Sequence, residues 1–131
     1  MWVAAGDRSD PFCEQSRAFL IEIARRRLPV MLPAIARVEV ACALARRLRD
    51  PAGARRLTEE LMRGPLIRER PMGTRLLARA VEEGTALFLR GSDALYVALA
   101  RLEQAELVSW DAEQIQRAGA RTPEAWLQNA G

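Results

Sequence analysis

Along the chain, short apolar runs alternate with longer stretches in which apolar residues recur every three or four positions. That pattern predicts helices interleaved with short strands. "SDPFCEQSRAFLIEIARRR" opens with Asp10 as a cap and Pro11 at the first helical position, while Phe12, Phe19, Leu20 and Ile23 supply an apolar face. "LPVML" follows as a short buried strand. "PAIARVEVACALARRLRD" reads as a helix stopped by Pro51, and "AGARRLTEELMRG" as another, ended by Gly64. "PLIRERP" is a weak strand, placed at a sheet edge because Pro71 closes it. "MGTRLLARAVEEG" is helical. A helix from Asp93 to about Gln104, the strand "ELVSW", the short helix "AEQIQRAG" and a tail, "ARTPEAWLQNAG", complete the chain. No repeat, low-complexity segment or linker interrupts it. Such alternation predicts an α/β fold with a parallel sheet, in which sites gather at the carboxyl ends of strands. Asp111 falls at one such end.

The lengths of the last predicted helix and strand bear on Asp93 and Asp111. The helix from Asp93 is roughly 18 Å long, and "ELVSW" runs roughly 17 Å as a strand. If the strand returns antiparallel to the helix, Asp93 and Asp111 finish side by side. Two carboxylates about 5 Å apart repel by roughly 3 kcal/mol at an effective dielectric near 20. The fold must then raise a pKa, pair the charges with arginine, or bind a cation. A plainer reading treats each residue alone. Ser92 and Asp93 open one helix, and Asp111 with Gln114 has the spacing of a capping box.

Composition limits the chemistry. Half of the 131 residues are apolar, which suits a single domain with a real core. There is no histidine. That excludes a Ser-His-Asp triad, Cys-His catalysis, histidine-ligated zinc and histidine acid–base ribonuclease chemistry. Cys13 and Cys42 lie in helical patterns without a CxxC, and read as small buried hydrophobes of a reducing compartment. With no apolar run of membrane-spanning length and no basic leader at "MWVAAGDRSD", the expectation is a cytoplasmic protein without a membrane partner. All 20 basic residues are arginine, and the net charge is +3. Arg25-Arg26-Arg27, Arg46-Arg47 and Arg55-Arg56 read as solvated helix faces; the modest positive field is compatible with RNA.

A third acidic group is Glu39. It lies on the predicted stripe of Ile35, Val38, Cys42 and Ala45, with no arginine at helical spacings of three or four. It is either a glutamate at the edge of the stripe or a carboxylate aimed into a site just past "LPVML". Three carboxylates without histidine or thiolate form a hard oxygen site, suited to magnesium or manganese rather than zinc or copper.

The order Pro33…Glu39-Val40, then "GSDALYVALA", then "ELVSWD", with the closing "TPEAWL", resembles the PIN-domain ribonucleases, most closely the VapC-type toxins of toxin–antitoxin pairs. The resemblance implies a three-layer α/β/α sandwich with a central, mostly parallel sheet, forming one domain over residues 1–131. It implies Mg2+- or Mn2+-dependent endoribonuclease cleavage of single-stranded or looped RNA. Glu39, Asp93 and Asp111 fall on acidic metal-site positions, and Ser109 on a hydroxyl position beside that site. A cognate antitoxin and a homodimer are the implied protein partners. The alternative is a catalytically impaired PIN-fold interaction module that binds an antitoxin or self-associates.

One departure stands out. "MWVAA" aligns just after the aspartate that ends the family's first strand, so the first central strand and first acidic ligand are expected to be missing from this chain. Asp7 and Asp10 do not replace that ligand. Losing four or five buried apolar side chains removes on the order of 10 kcal/mol, comparable with a domain's whole net stability. The expectation is an N-terminally truncated domain whose upstream in-frame codons encode a β-branched run ending in aspartate. Reading those codons checks it, and stop codons there would favour the interaction module.

Overall fold

Asp50 turns one helix into the next. In the computed structural model, which describes residues 1–130, a helix ends at Leu48, Arg49 takes the left-handed conformation, and the following helix begins at Pro51. The Asp50 carboxylate accepts from the Gly53 N–H at 2.9 Å, and Pro51 sits where no backbone donor is needed. Similar local chemistry starts the last helix, where the Thr122 hydroxyl accepts from Ala125 N–H ahead of Pro123.

In chain order the elements are α1 (Trp2–Gly6), α2 (Cys13–Arg25), β1 (Val30–Pro33), α3 (Ala36–Leu48), α4 (Pro51–Met62), β2 (Ile67–Arg70), α5 (Thr74–Ala86), α6 (Gly91–Leu102), α7 (Ala112–Ala118) and α8 (Pro123–Asn129). The result is a helix-rich α/β protein with a small sheet, in which β1 pairs with β2. Val30 N–H donates to Leu66 O and Ala34 N–H to Arg70 O, so both strands advance by the same step, as parallel neighbours do.

Two compact units divide the chain. The first holds residues 1–30 and 35–68. There α1 packs on α2, α3 and α4, and α3 packs on α4. Ala5, Phe19, Val40, Leu44 and Met62 are buried in it. The second holds residues 31–34 and those from Glu69 onward. There α5 lies along α6, and α6 touches α7. Its core includes Leu76, Ala80, Ala94, Val97, Ala98 and Leu99. Among the described residues, no helix is long and apolar enough to cross a membrane.

Several local expectations are corrected. Asp10 does not cap α2: that helix begins at Cys13, and the Asp10 carboxylate instead accepts from Phe12 N–H at 2.8 Å, a turn that delays the helix. Asp10 also receives Arg47 at 2.5 Å. The buried stripe of α3 is Ala36, Val40 and Leu44, leaving Val38 60% exposed. Cys42 is accordingly exposed, and only Cys13 is buried. "ELVSW" shrinks to a single parallel bridge between Val108 and Arg121. Its partner segment is fenced by left-handed Gly119 on one side and the Thr122 cap on the other, which leaves no length for a ladder. The supposed tail carries α8. The arginine runs are solvent-facing as expected, with Arg25 and Arg26 both paired to Glu22.

α5 and α6 approach closely at Gly84, where an added Cβ would stand 2.8 Å from the Ala94 Cβ. Neither atom can rotate away. Gly84→Ala should therefore lose about 1–2 kcal/mol in urea unfolding, because steric overlap outweighs the roughly 1 kcal/mol that alanine gains in helix propensity. A stabilised variant would show that α5 and α6 separate freely.

Candidate metal centre

Asp93 stands in the first turn of α6, where the helix dipole favours negative charge. It is not a cap: α6 starts at Gly91 after Arg90, and no side chain caps it. Asp111 is one. It is the N-cap of α7, and its Oδ1 accepts from Gln114 N–H at 3.0 Å. Gln114 does not complete a capping box by reaching back to Asp111. Its side chain is buried and donates from Nε2 to Asp93 Oδ1 at 3.0 Å. Ser109 takes the vacant role, its Oγ accepting from Asp111 N–H at 3.0 Å.

Each aspartate therefore turns one oxygen inward, toward Gln114, and leaves Oδ2 outward. Both Oδ2 atoms meet one guanidinium. Arg90 donates from Nε to Asp93 at 2.9 Å and from Nη2 to Asp111 at 2.9 Å. The hydrogen bond to Asp93 raises the Arg90 pKa above its usual value, and the negative field of Asp93, Asp111 and Glu113 adds to it. Glu113 is the neighbour of this pair. Its Oε1 lies 3.4 Å from Arg117, and its Oε2 lies 3.8 Å from Arg90 Nε. That Oε2 is buried and has no hydrogen-bond partner among the described residues. One oxygen from each of Asp93, Asp111 and Glu113 lies within 4.8 Å of the others.

These donors fit a divalent cation. All three residues offer hard carboxylate oxygens, and Glu113 has a buried one without a hydrogen-bond partner among the described residues. Nothing in the cluster is soft, which disfavours copper or a structural zinc.

Of the residues singled out in the sequence, Asp93, Asp111 and Ser109 are brought together, and the plainer capping reading holds for Asp111 alone. Glu39 is partly buried on α3 and belongs to the first unit. Sequence reasoning passed over Glu113 and Arg90. Glu113 was legible as the second acid of "DAE", in the first turn of the helix that Asp111 caps. Arg90 was legible three residues before Asp93, a spacing at which helical side chains meet.

The chain belongs to the PIN domain family, which it matches over residues 1–120. PIN domains are generally nucleases that use divalent metals, and the carboxylate cluster is compatible with that activity. No curated protein and no solved structure gives a significant match to the chain.

Asp111 combines a helix cap with an outward-facing oxygen, and substitution should separate the two. Asp111→Asn keeps an acceptor at the cap and should unfold close to the parent in urea, whereas Asp111→Ala should lose about 1 kcal/mol. Equal losses would mean that the outward ion pair, not the cap, dominates the stability of this corner.

Proposed function

We propose that this chain is the toxin component of a toxin–antitoxin pair, a Mg2+- or Mn2+-dependent endoribonuclease that cuts single-stranded or looped RNA. The observation that supports it best is the convergence of Asp93, Asp111 and Glu113 within one cation's reach, in a chain of the PIN family. On this reading the chain forms one domain, a three-layer α/β/α sandwich, and works in the cytoplasm as a homodimer held in check by a cognate antitoxin.

Asp93, Asp111 and Glu113 act as metal ligands, with Glu39 as a further one, directly or through water, and Ser109 fixes the Asp111 backbone so that its carboxylate keeps one direction. When bound, a divalent ion supplies charge for the phosphate oxygens and makes a water acidic enough to attack at neutral pH. The chain's own residues do the positioning. Gln114 holds the inner oxygens of both aspartates, so their outer oxygens face the substrate side together. Exposed arginines bind the RNA backbone without reading its sequence, and an unpaired or looped strand leaves the scissile phosphate reachable.

A second reading, the non-catalytic interaction module, draws on the first unit. Trp2, Leu20, Ile23, Leu28, Leu61 and Ile67 line an apolar cavity of about 460 Å³ there. An antitoxin segment docking on the N-terminal helices would use such a surface.

The complete protein, purified and assayed on single-stranded RNA, separates the two. The nuclease reading expects cleavage that needs Mg2+ or Mn2+ and stops with chelator. Asp93→Asn and Glu39→Gln should each lose at least about a hundredfold in rate, the upper end of what disturbing a metal's supporting shell costs. Cleavage indifferent to chelator, or variants as active as the parent, would refute the assignment. A folded parent that cuts nothing yet binds its antitoxin would leave the interaction module.

A further inference from the structure

We propose that Arg90 is a built-in cation that closes the metal-binding face of Asp93, Asp111 and Glu113 and must leave before a divalent ion can enter. The inference rests on the metal-centre reading above and adds its regulation.

The geometry points to competition because the carboxylates have few oxygens to spare. Asp93 Oδ1 is taken by the Gln114 side chain, and Asp111 Oδ1 by the Gln114 backbone. The atoms left for a metal are the two Oδ2 oxygens and Glu113 Oε2. Arg90 hydrogen-bonds the first two, each at 2.9 Å, and its Nε stands 3.8 Å from the third. A guanidinium forks across two carboxylates with a geometry that lysine cannot copy. It therefore neutralises charges that repel, as a bound cation would.

The closure is reversible by construction. The Arg90 side chain is 66% exposed, against 14% for Asp93. It is anchored by those ion pairs rather than by packing, while its backbone remains at the start of α6. Swinging outward costs the contacts and little else. Apparent metal affinity is then reduced by the fraction of molecules in which Arg90 is away. For two exposed, well-aligned charge contacts the reduction is about tenfold.

Mn2+ binding by the full chain, followed through the electron paramagnetic resonance of the free ion, reads this directly. Arg90→Gln should bind Mn2+ about tenfold more tightly than the parent. Arg90→Lys should fall between them, since one ammonium cannot bridge both aspartates. Asp93→Asn should bind more weakly than all three. Without metal, Arg90→Gln should also melt at a lower temperature than the parent and recover more on adding Mn2+, because its carboxylates begin unpaired. If Arg90→Gln binds Mn2+ no better than the parent while Asp93→Asn still weakens binding, the metal centre stands and the Arg90 proposal is overturned. If Asp93→Asn binds like the parent, the metal centre itself is wrong and this inference falls with it. Should Arg90→Gln fail to fold, Arg90→Lys decides by the same comparison: tighter binding supports competition, and equal or weaker binding rejects it.

Discussion

Like charges converge in a protein only when something neutralises them, and the corner around Asp93 and Asp111 is arranged by that constraint. Three carboxylates each bring one oxygen within 4.8 Å of the others'. Carboxylates about 5 Å apart repel each other by roughly 3 kcal/mol at an effective dielectric near 20. Here the repulsion is relieved on two sides. Gln114 supplies neutral donors from beneath, and Arg90 a positive charge from above. The division fixes direction as well as energy. An aspartate satisfied on one oxygen by a buried amide cannot rotate freely, so its second oxygen keeps its aim.

The same corner joins two helices. Gln114 belongs to α7, yet its amide is spent on Asp93 of α6. Ser109 lies just before α7 and closes the turn that leads into it. The bridge of Val108 to Arg121 fixes the segment immediately upstream. Thus a one-residue bridge, a hydroxyl and a carboxamide do here what a long strand does in a larger sheet.

How much of this was legible follows from the range of each signal. The juxtaposition of Asp93 and Asp111 was readable because it depends only on a helix and an extended run of matching length. Cap chemistry was readable at Asp111, where a carboxylate directly precedes the helix, and misleading at Asp93 and Asp10. Those two helices start elsewhere: α6 already at Gly91, with Asp93 inside its first turn, and α2 only at Cys13, after the turn that Asp10 makes with Phe12. The α3 stripe was displaced by one step, since Ile35, Val38 and Cys42 are as apolar as Ala36, Val40 and Leu44; which face is buried depends on neighbours that periodicity does not describe. "ELVSW" has the composition of a strand, but pairing needs a partner, and the partner's length is set by Gly119 and Thr122. Glu113 and Arg90 were missed for a related reason. Both looked like ordinary first-turn or boundary charges until the fold put them against the same two aspartates.

Cys42 offers a use that its burial would have precluded. It is the exposed one of the two free cysteines, the other being enclosed in the first unit. It also lies three residues after Glu39, one helical turn along the same face of α3. A spin label or fluorophore attached through that sulfur would sit beside Glu39, on the same helix. The chain thus carries its own labelling address on α3, with no cysteine to be introduced.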